Sequence, residues 1–274
     1  MIMKINKSLS ILLLGMIVVA CSTNPFTGKQ TLALVPNSQI LPMAFQQYSQ
    51  FLSENKVVTG TADANMVKSV GQKIAAAAER YLTANGYAGY LTDYRWEYNL
   101  VNSKEVNAWC MPGGKIVIYT GILPVTKNEA GLAAVMGHEV AHALANHGQQ
   151  RMSADQLQQL GAVGVGVATA NSKNADIFNM AYGLGSSVGV MLPFSRSHET
   201  EADHIGLVLM AIAGYEPAVA AELWQRMQAQ AGGNAPPEFL STHPSSTTRI
   251  QNIQAWVPEA KAEARKFGVT SFKR

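Results

Sequence analysis

At 274 residues the chain is long enough for one large domain or two small ones around a buried core. Hydrophobic residues make up 47% and charged residues 14%, and the 23 Gly and 11 Pro follow no repeating period, which argues against disorder, collagen and coiled coil. The net charge of +3 includes Lys4 and Lys7, and no basic run lies beyond them, so no nucleic-acid partner is expected.

The first residues carry an address. Met1 to Lys7 is basic, and Leu9 to Ala20 is an uncharged apolar run too short to span a bilayer. Small Ala20 stands just before Cys21, as at the cleavage point of a secretory signal; an uncleaved anchoring helix is the alternative. The stretch Val18-Val19-Ala20-Cys21 resembles a bacterial lipobox. That resemblance implies residues 1–20 as a signal peptide and Cys21 as the acylated mature N-terminus, attached to membrane through its lipid. With Ser22 next, it also implies sorting to the outer membrane of a bacterial envelope, facing the periplasm. Acylation of Cys21 leaves Cys110 as an unpaired, buried thiol. Residues 21–36 are rich in turn formers and read as a tether, with residues 37–274 as one domain.

Helical periodicity is clear from Ala64 to Tyr81, where Val67, Val70, Ile74, Ala77 and Ala78 share a face and Gly86 supplies a stop. Tyr94, Trp96, Tyr98 and Leu100 alternate with polar residues as a half-buried strand. A second strand, Lys115 to Tyr119, follows the turn Pro112-Gly113-Gly114. It is expected at a sheet edge beside the cleft, where Gly113, Gly114, Lys115, Ile116 and Val117 would bind an extended substrate through main-chain hydrogen bonds; an interior strand is the alternative. Thr126 to Glu129 fits a capping box, opening a helix that runs to a stop at Gly148. Two helices rich in small residues, Ala154–Thr169 and Ala175–Met191, are expected to pack in the core, with association in lipid as the alternative. Further helices are expected near Ser197–Ala213, Pro217–Gln230 and Ser246–Trp256.

One segment dominates the functional reading: His138-Glu139-Val140-Ala141-His142. On a helix, positions i and i+4 share a face, so both imidazoles can bind one zinc ion while Glu139 stands beside it as general base. A catalytic zinc needs a third protein ligand. His147 falls about 140° around the helix from His142 and is expected at the surface or in a cap. Glu199 and Asp203 are a better pair, since at i, i+4 one carboxylate can bind metal and the other can hold a ligand imidazole from behind. Glu201 lies about 160° from that face and is expected to be solvated, with His198 and His204 as structural or surface residues.

Together with Glu-x-x-x-Asp preceded by Ser-Arg, the His-Glu-x-x-His segment resembles the gluzincin peptidases that include HtpX, CAAX prenyl protease 1, the mitochondrial OMA peptidases and BepA. Asn24 to Gly28, Asn107-Ala108-Trp109, Pro112 to Lys115, and His243-Pro244 with Arg249 extend the likeness over roughly Asn24 to Trp256. The resemblance implies an α+β, predominantly helical, zincin-like fold with a small sheet beside the active-site helix. It implies one zinc per chain on His138, His142 and Glu199, with Glu139 as base and acid, Asp203 behind the ligands, and His243 and Arg249 near the cleft as oxyanion stabilisers. The function expected is endopeptidase cleavage of misfolded or misassembled envelope proteins. A chaperone or adaptor of the envelope assembly machinery, holding unfolded segments in the same cleft with little turnover, is the alternative.

Overall fold

The structure, a computed structural model, describes residues 21–170, 172–187, 191–231 and 238–274; the expected signal peptide lies outside these residues. Cys21–Thr23 (β1) and Gln30–Leu32 (β2) pair as an antiparallel hairpin. The stretch expected as a tether is therefore ordered. Its turn formers close the hairpin loop, through Asn24 N–H to Lys29 O at 2.9 Å and Gly28 N–H to Asn24 O at 2.8 Å. Asn24 and Val35 are buried, and Leu34 N–H donates to Ser153 Oγ at 3.0 Å, which ties the segment to the body.

Asn37–Glu54 (α1), Val57–Val58 (β3) and Ala62–Ala84 (α2) follow. Thr61 starts α2 by accepting the Ala64 N–H, as an N-cap threonine does. Glu97–Val101 (β4), Ala108–Met111 (β5) and Lys115–Tyr119 (β6) join β3 in a four-stranded sheet of order β3-β4-β6-β5. β4 and β6 are parallel, and the other pairs are antiparallel.

This order corrects the expected place of Lys115 to Tyr119. β6 is interior, and β5 takes the edge beside the cleft. The reason is packing on both faces. Ile116 and Ile118 face the main core with Leu100 and Ala108, while Val117 faces the other side with Tyr48 of α1, flanked by Phe51 and Trp109. Each fully buried branched side chain of this kind contributes about 1.5–3 kcal/mol. Lys115 is tied to Glu97 at 2.9 Å, and a Cβ at Gly113 or Gly114 would lie 2.5 Å from Phe45 or Trp96. Gly113, Gly114, Lys115, Ile116 and Val117 thus serve the sheet and its turn, not an open edge.

Beyond the sheet lie Leu123–Thr126 (α3), Glu129–Leu144 (α4), His147–Thr169 (α5), Ala175–Ser186 (α6), Leu192–Ile212 (α7), Ala218–Ala231 (α8), Glu238–Thr242 (α9) and Thr247–Lys266 (α10). The fold is α+β and predominantly helical, with α4 packed between the sheet and α7. α4 is capped by Asn128, whose side chain accepts the Gly131 N–H at 2.9 Å. Thr126, expected in that role, belongs to α3 and donates to Leu123 O, because Lys127 at φ 68° reverses the chain between the two helices.

α5 and α6 differ from the expected core helices. α5 buries residues only in its first two turns and α6 buries none, leaving Leu160, Val163, Val167, Met180 and Leu184 exposed. Among the described residues no helix is long and apolar enough to cross a membrane.

Candidate metal centre

Two helices touch at their backbones to build the site. A Cβ at Gly137 of α4 would lie 2.8 Å from Gly206 O of α7, and one at Gly206 would lie 2.8 Å from His138 N. With no side chain at either position, the axes come close enough for Glu199 and Asp203 of α7 to reach the imidazoles of α4. α4 itself is held at its C-terminal end, where Tyr90 and Tyr94 donate to the carbonyls of Leu144 and Ala143.

One ligand atom from each of His138, His142, Glu199 and His243 falls within 4.8 Å of the others. His138 Nε2 and His142 Nε2 are 3.1 Å apart, and Glu199 oxygens lie 3.4 and 3.3 Å from them. Ligands ~2.1 Å from a zinc ion stand ~3.4 Å apart at tetrahedral angles, so the donor set and its spacing fit zinc. Ligands are distinguished from neighbours by what supports them from behind. His138 Nδ1 donates to Asp203 Oδ1 at 2.9 Å, His142 Nδ1 contacts His147 Nδ1 at 2.8 Å, and Glu199 Oε2 lies 3.2 Å from Arg249 Nη1. His243 is backed instead by Glu139, the residue expected as base. Its Nδ1 contacts Glu199 at 3.0 Å, and its Nε2 faces Glu139 Oε1 at 3.3 Å. A catalytic zinc keeps a position for water, so it would use three of these four donors, and His138, His142 and Glu199 are the three expected from the sequence. His243's place within ligand distance was not legible, since more than a hundred residues separate it from His138.

The electrostatics follow from burial and pairing. Burial works against a charged His138, but Asp203 and Glu199 outweigh it and push its pKa up to about 9. Burial pushes the Glu199 carboxyl up, yet hydrogen bonds from His138, His142 and His243 hold it well below the usual carboxylate range. Asp203 is likewise held down against burial by Arg249 and His138. His142 and His147 are shifted down by burial. Glu139 is buried, its Oε1 has no hydrogen-bond partner, and burial raises its pKa.

Arg249 sits in the first turn of α10, where Ser246 caps its N–H. Its guanidinium grips Asp203 through Nε at 2.6 Å and Nη2 at 2.7 Å, and lies 3.4 Å over the Trp224 ring. It is thus committed to the carboxylates and does not line the cavity beside the site. That cavity holds about 290 Å³ and is lined by Trp109, Cys110, Glu139, His142, Asn146 and His243 among others. The edge strand β5 forms one wall.

Two expectations for neighbouring residues are corrected. His147 is buried and touches His142, because Asn146 at φ 56° ends α4 and restarts the helix in a new direction. Glu201 is only 10% exposed, because the hairpin loop covers it. His198 donates to Gln150 Oε1 at 3.1 Å and stacks on His147, and burial pushes its pKa down to about 3. His204 pairs with Glu259 at the surface.

Comparison with known proteins places this geometry. The sequence profile of peptidase family M48 matches residues 62–257. The mitochondrial metalloendopeptidase OMA1 of Schizosaccharomyces pombe is 42% identical over 63% of this chain and 50% of its own length. Its namesake from Saccharomyces cerevisiae is 35% identical over 71% of this chain and 56% of its own. The β-barrel assembly-enhancing protease of Escherichia coli is 29% identical over 58% of this chain and 34% of its own. The chain thus spans about half the length of the first two relatives. The expected bacterial outer-membrane location is corrected by these findings, since the relatives at 42% and 35% identity carry mitochondrial names.

Proposed function

The chain belongs to peptidase family M48, and from that membership and the geometry of its donors we propose that it is a zinc-dependent endopeptidase. The observation that carries the reading is the buried carboxylate of Glu139, whose Oε1 has no hydrogen-bond partner and faces His243, placed between the clustered metal donors and an open cavity. When bound, zinc lowers the pKa of a coordinated water towards about 7 and polarises the scissile carbonyl.

The chain's own residues supply the rest. Glu139 accepts a proton from the attacking water and returns it to the leaving amine, and burial raises its pKa, which favours taking up the proton. His243, which lines the cavity and holds Nε2 3.3 Å from Glu139, is placed to donate from Nε2 to the developing oxyanion. Arg249 acts through others, holding Asp203 and Glu199 so that His138 presents Nε2.

Substrate lies along β5. Among the described residues its outer side pairs with no strand, and Trp109 and Cys110 line the cavity beside Glu139. An extended chain added to this edge binds through main-chain hydrogen bonds, which suits unfolded or misassembled proteins of many sequences. The name of the Escherichia coli relative, an assembly-enhancing protease, supports that substrate class. A protein that only held such segments would have no use for a buried base at Glu139.

The test is cleavage of an unfolded protein with and without chelator, beside Glu139→Gln. Cleavage should need both metal and Glu139. Equal cleavage by Glu139→Gln would overturn the reading.

A further inference from the structure

His142 must present an unprotonated Nε2 to the metal, so its single proton belongs on Nδ1. That nitrogen lies 2.8 Å from Nδ1 of His147, and two ring nitrogens in contact share one proton. If His147 kept its proton on Nδ1 it would donate to His142, drive the His142 proton to Nε2, and close the ligand position. What His147 does is therefore decided at its other edge. There Nε2 is buried without a hydrogen-bond partner and faces Glu201 Oε2 across 3.6 Å. At that distance the field of the carboxylate, without a formed hydrogen bond, favours the proton on Nε2 and leaves Nδ1 as an acceptor.

Glu201 is fixed in turn by the N-terminal hairpin loop. Asn24 Nδ2 donates to its Oε1 at 2.6 Å, Thr27 Oγ1 donates to the same oxygen at 2.9 Å, and Lys29 stands 3.9 Å from Oε2. Asn24 is buried and its Oδ1 accepts the Phe26 N–H, so the amide is oriented and not free to flip. His198 stacks flat on the His147 ring, centroids 4.1 Å apart, and fixes its plane.

We propose that Asn24, Thr27, Glu201 and His147 form a relay that sets the tautomer of the metal ligand His142, so that the N-terminal hairpin controls how tightly the site holds zinc. The inference rests on the zinc site proposed above. His147 and Glu201 are positioning residues, and neither reaches the cavity's reacting atoms through its own polar groups. Loss of such a support weakens metal binding by about 10- to 100-fold.

The test measures zinc affinity of the full chain by competition with a chromophoric chelator, the visible spectrum of the cobalt-substituted protein, and the melting of the metal-free form. His147→Phe, which keeps a ring but no acceptor, should weaken zinc about 10- to 100-fold and shift the cobalt bands. Glu201→Gln and Asn24→Ala should weaken it in that order, while His147→Gln, whose amide oxygen can accept from Nδ1, should restore much of the affinity. Metal-free melting should stay near the parent's value in Glu201→Gln and both His147 variants, while Asn24→Ala, which removes buried hydrogen bonds, should melt lower. Parent-like zinc affinity and cobalt bands in His147→Phe would overturn the relay alone. So would zinc losses that follow metal-free melting across the series, which would mark a purely structural role. A parent chain that takes up no zinc would instead overturn the metal site itself, and the relay with it.

Discussion

In the proposed mechanism Glu139 and the ligands divide their tasks, and single substitutions separate them. Glu139→Gln should retain one equivalent of zinc and lose about 10²–10⁴ in turnover, because only the proton transfer is removed. Glu199→Gln should lose the metal as well, and zinc analysis of the two purified variants distinguishes the cases. Equal zinc loss in both would contradict the division.

A second residue-level test lies at the other end of α4. Lys273 donates to Glu129 at 2.7 Å and lowers its pKa, burial opposes this, and the Tyr215 hydroxyl lowers it further. A carboxyl whose folded pKa lies below its usual 4.5 stabilises the fold fully above that value and ceases to as pH falls through the folded pKa. The stability gap between the parent and Glu129→Gln, from urea unfolding, should therefore be constant above about pH 5 and close in more acid solution. A gap that widened in acid would reverse the sign. At this scale much of the cluster was legible, because His138 and His142, and Glu199 and Asp203, follow helical spacing within α4 and α7, and the structure brings the two pairs together. His147 and Glu201 were not. The left-handed residue Asn146 resets the helical phase on which His147 was placed, and the chain that covers Glu201 comes from a segment far away in sequence.

Among the elements, the crossing of α4 and α7 positions the chemistry, and two glycines permit it. Gly206→Val should push the helices apart, costing about 1–3 kcal/mol by overpacking and weakening zinc, since Glu199 would no longer reach. Gly164→Ala in α5, where an added Cβ meets nothing within 4 Å, is the control and should leave both stability and zinc intact or slightly improve the helix. Calorimetry and zinc titration of the pair check this. The helices were readable from periodicity and punctuation, but the place of β6 was not. Alternation marks a strand with two different faces, and here both faces are covered, one by α1 and the other by the main core. The parallel pairing of β4 with β6 across an intervening strand is a long-range choice that local pattern does not carry.

Over the whole molecule, the site gathers residues from the hairpin loop, α4, α5, α7, the turn after α9, and α10, so metal and fold are coupled. Without the ion, imidazoles and carboxylates remain clustered within 4.8 Å in a buried setting. A ligand that binds only the folded state stabilises it by mass action, so chelation should lower the melting temperature and excess zinc should restore it. Glu139→Gln should show the same shift, since it keeps the ligands. Helices α5 and α6 should contribute little to this transition, because their apolar residues lie mostly outside the core. That projection also escaped the sequence, where Gly and Ala at close spacing suit core packing and surface hairpins alike.

The most direct test of the central claim is a crystal structure of the zinc-loaded chain with an anomalous map at the zinc edge. The account predicts one peak per chain about 2.0–2.2 Å from His138 Nε2, His142 Nε2 and a Glu199 oxygen, with Asp203 and Arg249 behind them. A peak held instead by Glu201, His147 or His204, or a chain with no peak at this cluster, would contradict it.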